Sequence, residues 1–255
     1  MSIAFTTPAE LLDVLAGARR LCVFSGAGVS AESGIATFRQ PDTGLWSRFD
    51  PLMLATLEAF QRDPALVWGW YEWRRAAVLR AQPNPAHHAI AGLAARLPQV
   101  CVVTQNVDDL HERAGARDVV HLHGSLEAAR CSRCAAPYAH PAGIPAVTQG
   151  GERMPPPACA ACGGPVRPGV VWFGESLPMQ AWARAEALAR EADVFLCVGT
   201  SGLVYPAASL PQQAARAGAA VIQVNPDATP LDGCARWNLR GPAGAVMPAL
   251  LAALG

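Results

Sequence analysis

The chain has 255 residues, is 51% hydrophobic, and carries 20 basic against 20 acidic side chains, a formal net charge of zero. That length can bury a real core, in one large domain or one plus a smaller insert, and the charge balance removes the broad attraction that nonspecific nucleic-acid binding relies on. No apolar run is long enough to span a bilayer, and the N-terminus "MSIAFTTPAELLDV" lacks a basic start before an apolar stretch, so the expectation is a cytoplasmic protein with no membrane partner.

The first strand-like run, "RLCVFSG", leads directly into "GAGVSAESGIATFR" (26–39). Gly26, Gly28 and Ala31 satisfy G-x-G-x-x-A after a strand, a pattern that lets backbone N–H groups approach a pyrophosphate. A dehydrogenase would add a second strand ending in an acidic residue about 20 positions later. Here no strand pattern returns until about residue 99, which disfavours an ordinary dinucleotide redox enzyme. Residues 35–80 instead carry aromatic helices. In "WGWYEWRRAAVL" (68–79), Tyr71 and Arg74 stand three apart and project from one helix face. Two readings stand for this pair: an arginine packed along an aromatic surface, or a guanidinium fork and a phenol holding a small anion.

Next, "NPAHHAIAGLAARL" predicts a helix with Asn84 as N-cap and Pro85 at the first helical position. The runs "QVCVVTQ" (99–105), "VVHLHG" (119–124), "GVVWFG" (169–174), "DVFLCVGT" (193–200) and "AAVIQVN" (219–225) predict strands buried on both faces. "PMQAWARAEALAREA" and "PAASLPQQAARAG" predict helices, the second with a kink or late start at Pro211. Strands alternating with helices predict an α/β fold, a mostly parallel, Rossmann-like sheet with helices on both faces. Two stretches break that rhythm: 35–80 and the proline-rich 125–168. The expected organisation is one main domain from 1–34, 81–124 and 169–255, with the two insertions forming a smaller lobe and a ligand crevice between the lobes.

"CSRC" (131–134) and "CAAC" (159–162) are two C-x-x-C knuckles that can surround one zinc, with two disulfides or free thiols as the alternative. A site made of Cys131, Cys134, Cys159 and Cys162 has no open position, so its zinc would be structural. A zinc ribbon can also read nucleic acid, but only Arg130, Arg133, Arg153 and Arg167 lie in this insert, too few for a phosphate-tracking stripe. Polar clusters sit at predicted strand ends: "TQNVDD" (104–109), "HLHG" (121–124), "GTS" (199–201) and "NPD" (225–227). Each Asn or Asp could be a helix cap, yet four clusters at successive strand ends favour a site. His121 and His123 lie on one strand-like run, and His123, nearer the crevice, is the candidate general base.

These motifs, with "TQNVDDLHERAG" and "VVWFGE" in the same order, resemble the sirtuin family of NAD-dependent protein-lysine deacylases from about residue 20 onward. The resemblance implies that Gly26, Ala27, Gly28 and Ser30 line the NAD phosphates, with Phe38 and Arg39 on the loop that closes over them. It implies Gln105, Asn106 and Asp108 at the nicotinamide ribose and carboxamide, and Gly199, Thr200, Ser201, Asn225, Asp227 and Ala243 on the adenosine side. His123 matches the catalytic histidine, with Asn106 beside it, and Val171, Trp172, Phe173, Gly174 and Glu175 match the segment that pairs with the substrate backbone. NAD would then be a co-substrate: the acyl-lysine oxygen attacks the ribose carbon that nicotinamide leaves, and His123 deprotonates a ribose hydroxyl. The products would be free lysine, nicotinamide and O-acyl-ADP-ribose.

Two departures mark the chain within that resemblance. Ala36 and Thr37 stand where many members have Pro-Asp. Tyr71 and Arg74, with Ala55 in "MLATLEAF", resemble the subgroup that removes succinyl, malonyl and glutaryl groups, and would bind the distal carboxylate in a widened pocket. Hydrogen bonds to a charged group are worth about 1.5–3 kcal/mol each, which predicts succinyl over acetyl. A general deacetylase, a mono-ADP-ribosyltransferase and a silent NAD-binding module are the competing expectations. The expected partners are acylated-lysine proteins, without specific nucleic acid or membrane.

Overall fold

The computed structural model describes residues 8–37, 45, 49–148 and 150–255. Six strands form a parallel sheet in the order β3-β2-β1-β6-β7-β8. They are β1 (Arg20–Ser25), β2 (Gln99–Thr104), β3 (Val119–His121), β6 (Val194–Val198), β7 (Ala220–Val224) and β8 (Trp237–Leu239). Among the described residues the α-helices in chain order are α1 (Ala9–Ala16), α2 (Pro51–Leu54), α3 (Leu57–Arg62), α4 (Pro64–Arg80), α5 (Pro85–Gly92), α6 (Leu110–Arg113), α7 (Met179–Glu191), α8 (Leu210–Arg216) and α9 (Ala243–Ala253).

The period of two along β1 builds both sides of the core. Leu21 and Val23 join α1, α5 and α9 in one apolar cluster, while Cys22 and Phe24 join α7 and α8 in another. Helices therefore cover both faces, as the unbroken apolar strands require. At α5, Asn84 accepts from the Ala86 and His87 N–H groups at 2.9 and 3.4 Å, and His87 Nδ1 accepts from the Asn84 N–H at 3.3 Å. This reciprocal cap fixes the helix start that Asn84-Pro85 announces. The predicted helix around Pro211 starts late: a 3₁₀ turn over Ala207–Ser209 precedes α8, and Pro211 falls in its first turn.

A third cluster lies off the sheet and contains Ala55, Phe60, Val67, Trp70 and Tyr71 with Leu126, Val170 and Trp172. Helix α4 is its spine, started by Asp63, whose side chain accepts from the Leu66 N–H at 3.1 Å. It is buried nearly all round, including Glu72, Arg74 and Arg75. Arg75 reaches Glu72 at 3.6 Å and Glu127 at 2.9 Å, and His140 Nδ1 lies 3.5 Å from Glu72. The segment after residue 148 crosses this helix so closely at Gly69 that a Cβ there would sit 1.7 Å from the Glu152 carbonyl oxygen.

Two expectations are corrected, and one strand went unread. "GVVWFG" does not join the sheet; it makes single bridges from Val170 to Gly124 and from Phe173 to Thr56. Its apolar side chains Val170 and Trp172 feed the third cluster, and a short apolar run does not reveal which core it serves. Strand β3 ends at His121, so His123 stands in the turn beyond it. Strand β8, three residues on the sheet edge, carries no pattern strong enough to be read from sequence.

Candidate active site

The parallel sheet sends the C-terminal ends of β1, β2, β6 and β7 to one side, where an open α/β sheet places its ligand. A cleft of about 560 Å³ opens there. Its wall includes Gly26, Ala27 and Gly28 after β1, and Gln105 and Asn106 after β2. Gly199, Thr200 and Ser201 follow β6, and Asn225 and Asp227 follow β7, with Ala243 opening α9. The loops brace one another: Gly28 N–H donates to Gly199 O at 2.8 Å, Gln105 Nε2 to Thr200 Oγ1 at 2.7 Å, and Asn225 Nδ2 to Thr200 O at 2.9 Å. Gly28 is needed for this approach, since a Cβ would lie 2.7 Å from Gly199 O. The cleft size and its glycine-lined, amide- and hydroxyl-rich wall fit a dinucleotide.

Ser30 and Asp108 do not reach the cleft surface; they lie beneath Asn106. Asn106 Nδ2 donates to Ser30 Oγ at 3.1 Å, and Ser30 Oγ donates to Asp108 Oδ2 at 3.0 Å, which fixes the orientation of the Asn106 amide. Burial holds the Asp108 carboxyl above the usual carboxylate range, against the bonds from Leu110 and Ser30. Two buried imidazoles back this network. His87 Nε2 lies 3.4 Å from Ser30 Oγ, His111 Nε2 lies 2.8 Å from Ser25 Oγ, and the rings are 5.0 Å apart. Burial, with the neighbouring His111 and His88, pushes His87 down to about 3; burial pushes His111 down to about 4. Sequence reasoning missed both, because neither falls in a recognisable ligand or catalytic spacing. Phe38 and Arg39 lie outside the described residues.

His123 lines the cleft and His121 does not. The Gln105 carbonyl lies 3.0 Å from His123 Nδ1, so Nδ1 carries the proton and Nε2 is the basic nitrogen. His121 faces acceptors on both nitrogens, Asn106 O at 3.2 Å and Glu112 Oε1 at 2.7 Å. Burial works against its charge, but the Glu112 partnership outweighs it and raises the pKa.

Ala55, Tyr71 and Arg74 line the same cleft as His123. The Arg74 guanidinium lies 5.1 Å from the Trp70 ring centroid and 6.0 Å from that of Tyr71. Burial pushes the Tyr71 phenol up to about 12, against the neighbouring Arg74 and the hydrogen bond from Trp172, so it remains a donor at neutral pH. Val171, Trp172, Phe173 and Gly174 form a further wall. Val171 N–H donates to His123 O and Phe173 N–H to Ala55 O, each at 2.9 Å, tying this wall to His123 and to Ala55. Leu203 and Tyr205 also line the cleft and are exposed; no motif marked them in the sequence.

Apart from the cleft, β4 (Arg130–Cys131) and β5 (Val166–Arg167) pair antiparallel and carry the knuckles. The sulfurs of Cys131, Cys134, Cys159 and Cys162 lie within 4.8 Å of one another, with 3.5 Å for 131–162 and 3.7 Å for 134–159. Tetrahedral zinc–sulfur bonds of about 2.3 Å place sulfurs roughly 3.8 Å apart. No disulfide joins these cysteines, and the four thiols fit one structural zinc.

Fold and site together define a nucleotide-binding α/β protein with an appended zinc ribbon. The sequence matches the Sir2 family over residues 26–206, and the chain belongs to that family. It is 61% identical over 245 residues to the NAD-dependent protein deacylase of Methylococcus capsulatus, covering 96% of each chain. It is 58% identical over 241 residues to NAD-dependent protein deacylase 1 of Pseudomonas aeruginosa, covering 94% of this chain and 96% of that one. Among solved structures, a Sir2 homolog in complex with NAD superposes with a TM-score of 0.88 at 48% identity, covering 98% of this chain and 94% of the other. A mutant Sir2 homologue with ADP-ribose gives a TM-score of 0.91 at 47% identity, covering 97% and 96%.

Proposed function

We propose that this protein removes acyl groups from protein lysine side chains at the expense of NAD, preferring acidic chains such as succinyl and malonyl over acetyl. Its bacterial relatives are named for NAD-dependent protein deacylation, and this chain is an enzyme of that kind. The acidic preference rests on one observation: Ala55, Tyr71 and Arg74 converge on the cleft that contains His123. A small residue leaves room for a longer acyl chain, and a phenol with a guanidinium matches a carboxylate at its end.

In this reading Gly26, Ala27 and Gly28 hold the NAD phosphates, with Ser30 behind them. Gln105 and Asn106 hold the nicotinamide ribose and carboxamide, with Asp108 fixing Asn106. Gly199, Thr200, Ser201, Asn225, Asp227 and Ala243 take the adenosine side. When bound, NAD supplies a ribose carbon that becomes electrophilic as nicotinamide departs. Residues 171–174 hold the substrate backbone and direct the acyl-lysine carbonyl to that carbon. His123 takes a ribose hydroxyl proton at Nε2, because Nδ1–H is committed to the Gln105 carbonyl. One water is consumed overall, and nicotinamide, O-acyl-ADP-ribose and free lysine leave. The zinc stays outside the chemistry and stiffens 125–168, which with 35–80 we read as the smaller lobe over a main domain of 1–34, 81–124 and 169–255. The free thiols suit the reducing cytoplasm.

A general deacetylase is the second reading, favoured by the stacking of Arg74 over Trp70. Matched acetyl- and succinyl-lysine peptides separate the two. The expected result is a higher kcat/KM for succinyl that depends on NAD and collapses in Arg74→Met, by roughly 10- to 100-fold for one charged hydrogen bond lost. Acetyl turnover equal to or above succinyl in the wild type would leave the deacylase and remove the pocket assignment.

A further inference from the structure

Tyr71 sits in the cleft wall with its hydroxyl oxygen already occupied. The Trp172 indole Nε1–H donates to it at 3.1 Å. An indole N–H is donor only, so the direction of this bond is not open to reversal. Among the described residues it is the hydrogen bond recorded for the phenol oxygen. The nearby cation, Arg74, is also donor only. Neither neighbour offers an acceptor, and Tyr71 lines the cleft, so the hydroxyl proton is available to a group bound there.

Trp172 is itself held firmly. Its ring is 2% exposed, lies under the Arg167 guanidinium at 3.6 Å from the centroid, and packs against Phe60 at 5.3 Å. Its backbone N–H donates to Glu175 Oε2 at 2.8 Å, and Arg167 clamps that carboxylate with bonds of 2.5 and 2.9 Å. Arg167 belongs to β5, the strand that closes the zinc ribbon. A fixed donor on the phenol oxygen is thus supported from the metal module.

We propose that Trp172 is a specificity-positioning residue: its indole N–H holds the Tyr71 hydroxyl as a donor aimed at the far end of the acyl chain. This rests on the assignment of Tyr71 and Arg74 as the acyl-end pocket and adds the device that orients it. An acyl group ending in an acceptor gains from the aimed proton, whereas a methyl terminus does not. The role is separate from the backbone pairing assigned to residues 171–174, because it acts through the side chain and only on the acyl terminus.

The experiment is a double-mutant cycle read as the succinyl-to-acetyl ratio of kcat/KM on matched peptides, in which losses common to both substrates cancel. Trp172→Phe keeps a ring under Arg167 and removes the N–H. It should lower the ratio roughly 5- to 20-fold, the share of a charged hydrogen bond lost with its orientation, chiefly through KM for the succinyl peptide. Tyr71→Phe should lower it at least as far, and the double variant should match Tyr71→Phe alone. An unchanged ratio in Trp172→Phe, or a double variant that falls by the product of the two, would overturn the positioning role. A wild-type ratio indifferent to Arg74→Met would overturn the pocket assignment itself and this inference with it. If Trp172→Phe does not fold, Trp172→β-(3-benzothienyl)alanine replaces only the N–H by sulfur and reads the same ratio.

Discussion

A single carbonyl decides the chemistry of His123: with Gln105 O on Nδ1, the basic nitrogen is Nε2. His123→Ala should lower NAD-dependent deacylation by roughly 10²- to 10⁴-fold, the usual worth of a positioned general base, measured as peptide turnover at saturating NAD. Normal turnover in that variant would remove the histidine from the mechanism. His123 could be singled out from sequence because it ends an apolar run before Gly124. Tyr71 and Arg74 could be paired because helical spacing puts positions three apart on one face. Trp172 was legible only as part of a substrate-pairing segment. Its indole meets a phenol 101 positions away, and no local period encodes such a contact. His87 and His111 were illegible for a related reason: their partners Ser30 and Ser25 come from another loop and strand.

Helix α4 joins three parts of the molecule. One side carries Tyr71 and Arg74 to the cleft, while Glu72 and Arg75 meet Glu127 and His140 from the segment that leads into and out of the first zinc knuckle. Arg75→Ala would leave Glu72 buried without its main counter-charge, at a cost of about 3 kcal/mol, since breaking a buried pair is far worse than never having one. Urea unfolding should show this as a lower midpoint with an unchanged slope; a midpoint within experimental error of wild type would mean the cluster contributes nothing net. The helix itself was readable from composition, but its role was not, because a helix buried all round has no polar stripe to orient it. "GVVWFG" illustrates the opposite failure. Its apolar run announced a strand buried on both faces; Val170 and Trp172 are buried, Phe173 is exposed, and the segment packs on α4 and its neighbours instead of entering the sheet.

At the scale of the whole molecule, the parallel sheet was the most legible feature, because β1, β2, β6 and β7 are apolar on both faces and strand runs alternate with helical ones. The buried imidazoles add a property that no pattern announces. His87 and His111 titrate near 3 and 4 in the folded chain, against about 6.5 when unfolded. Their contribution is therefore complete above neutral pH and is lost as pH falls from about 6.5 toward 4 and below, where the unfolded chain binds the protons first. Each imidazole costs on the order of 1.4 kcal/mol per pH unit in that window. Asp108, with its carboxyl held up by burial, and His121, held up by Glu112 against burial, work in the other direction and offset part of the loss. Urea midpoints should fall steadily between pH 7 and pH 5, and His111→Gln should flatten that slope; a wild-type midpoint independent of pH over this range would contradict the account.

All three scales converge on a cleft that brings the loops after β1, β2, β6 and β7, the His123 imidazole and the Tyr71 and Arg74 side chains together. The most direct measurement is a competition: one peptide sequence, half succinylated and half acetylated on the same lysine, is incubated with the purified protein with and without NAD and followed by mass spectrometry. The account predicts that the succinyl peptide disappears first, only when NAD is present, with O-succinyl-ADP-ribose formed in equal amount. Acetyl peptide consumed as fast or faster, or succinyl loss without NAD, would contradict it.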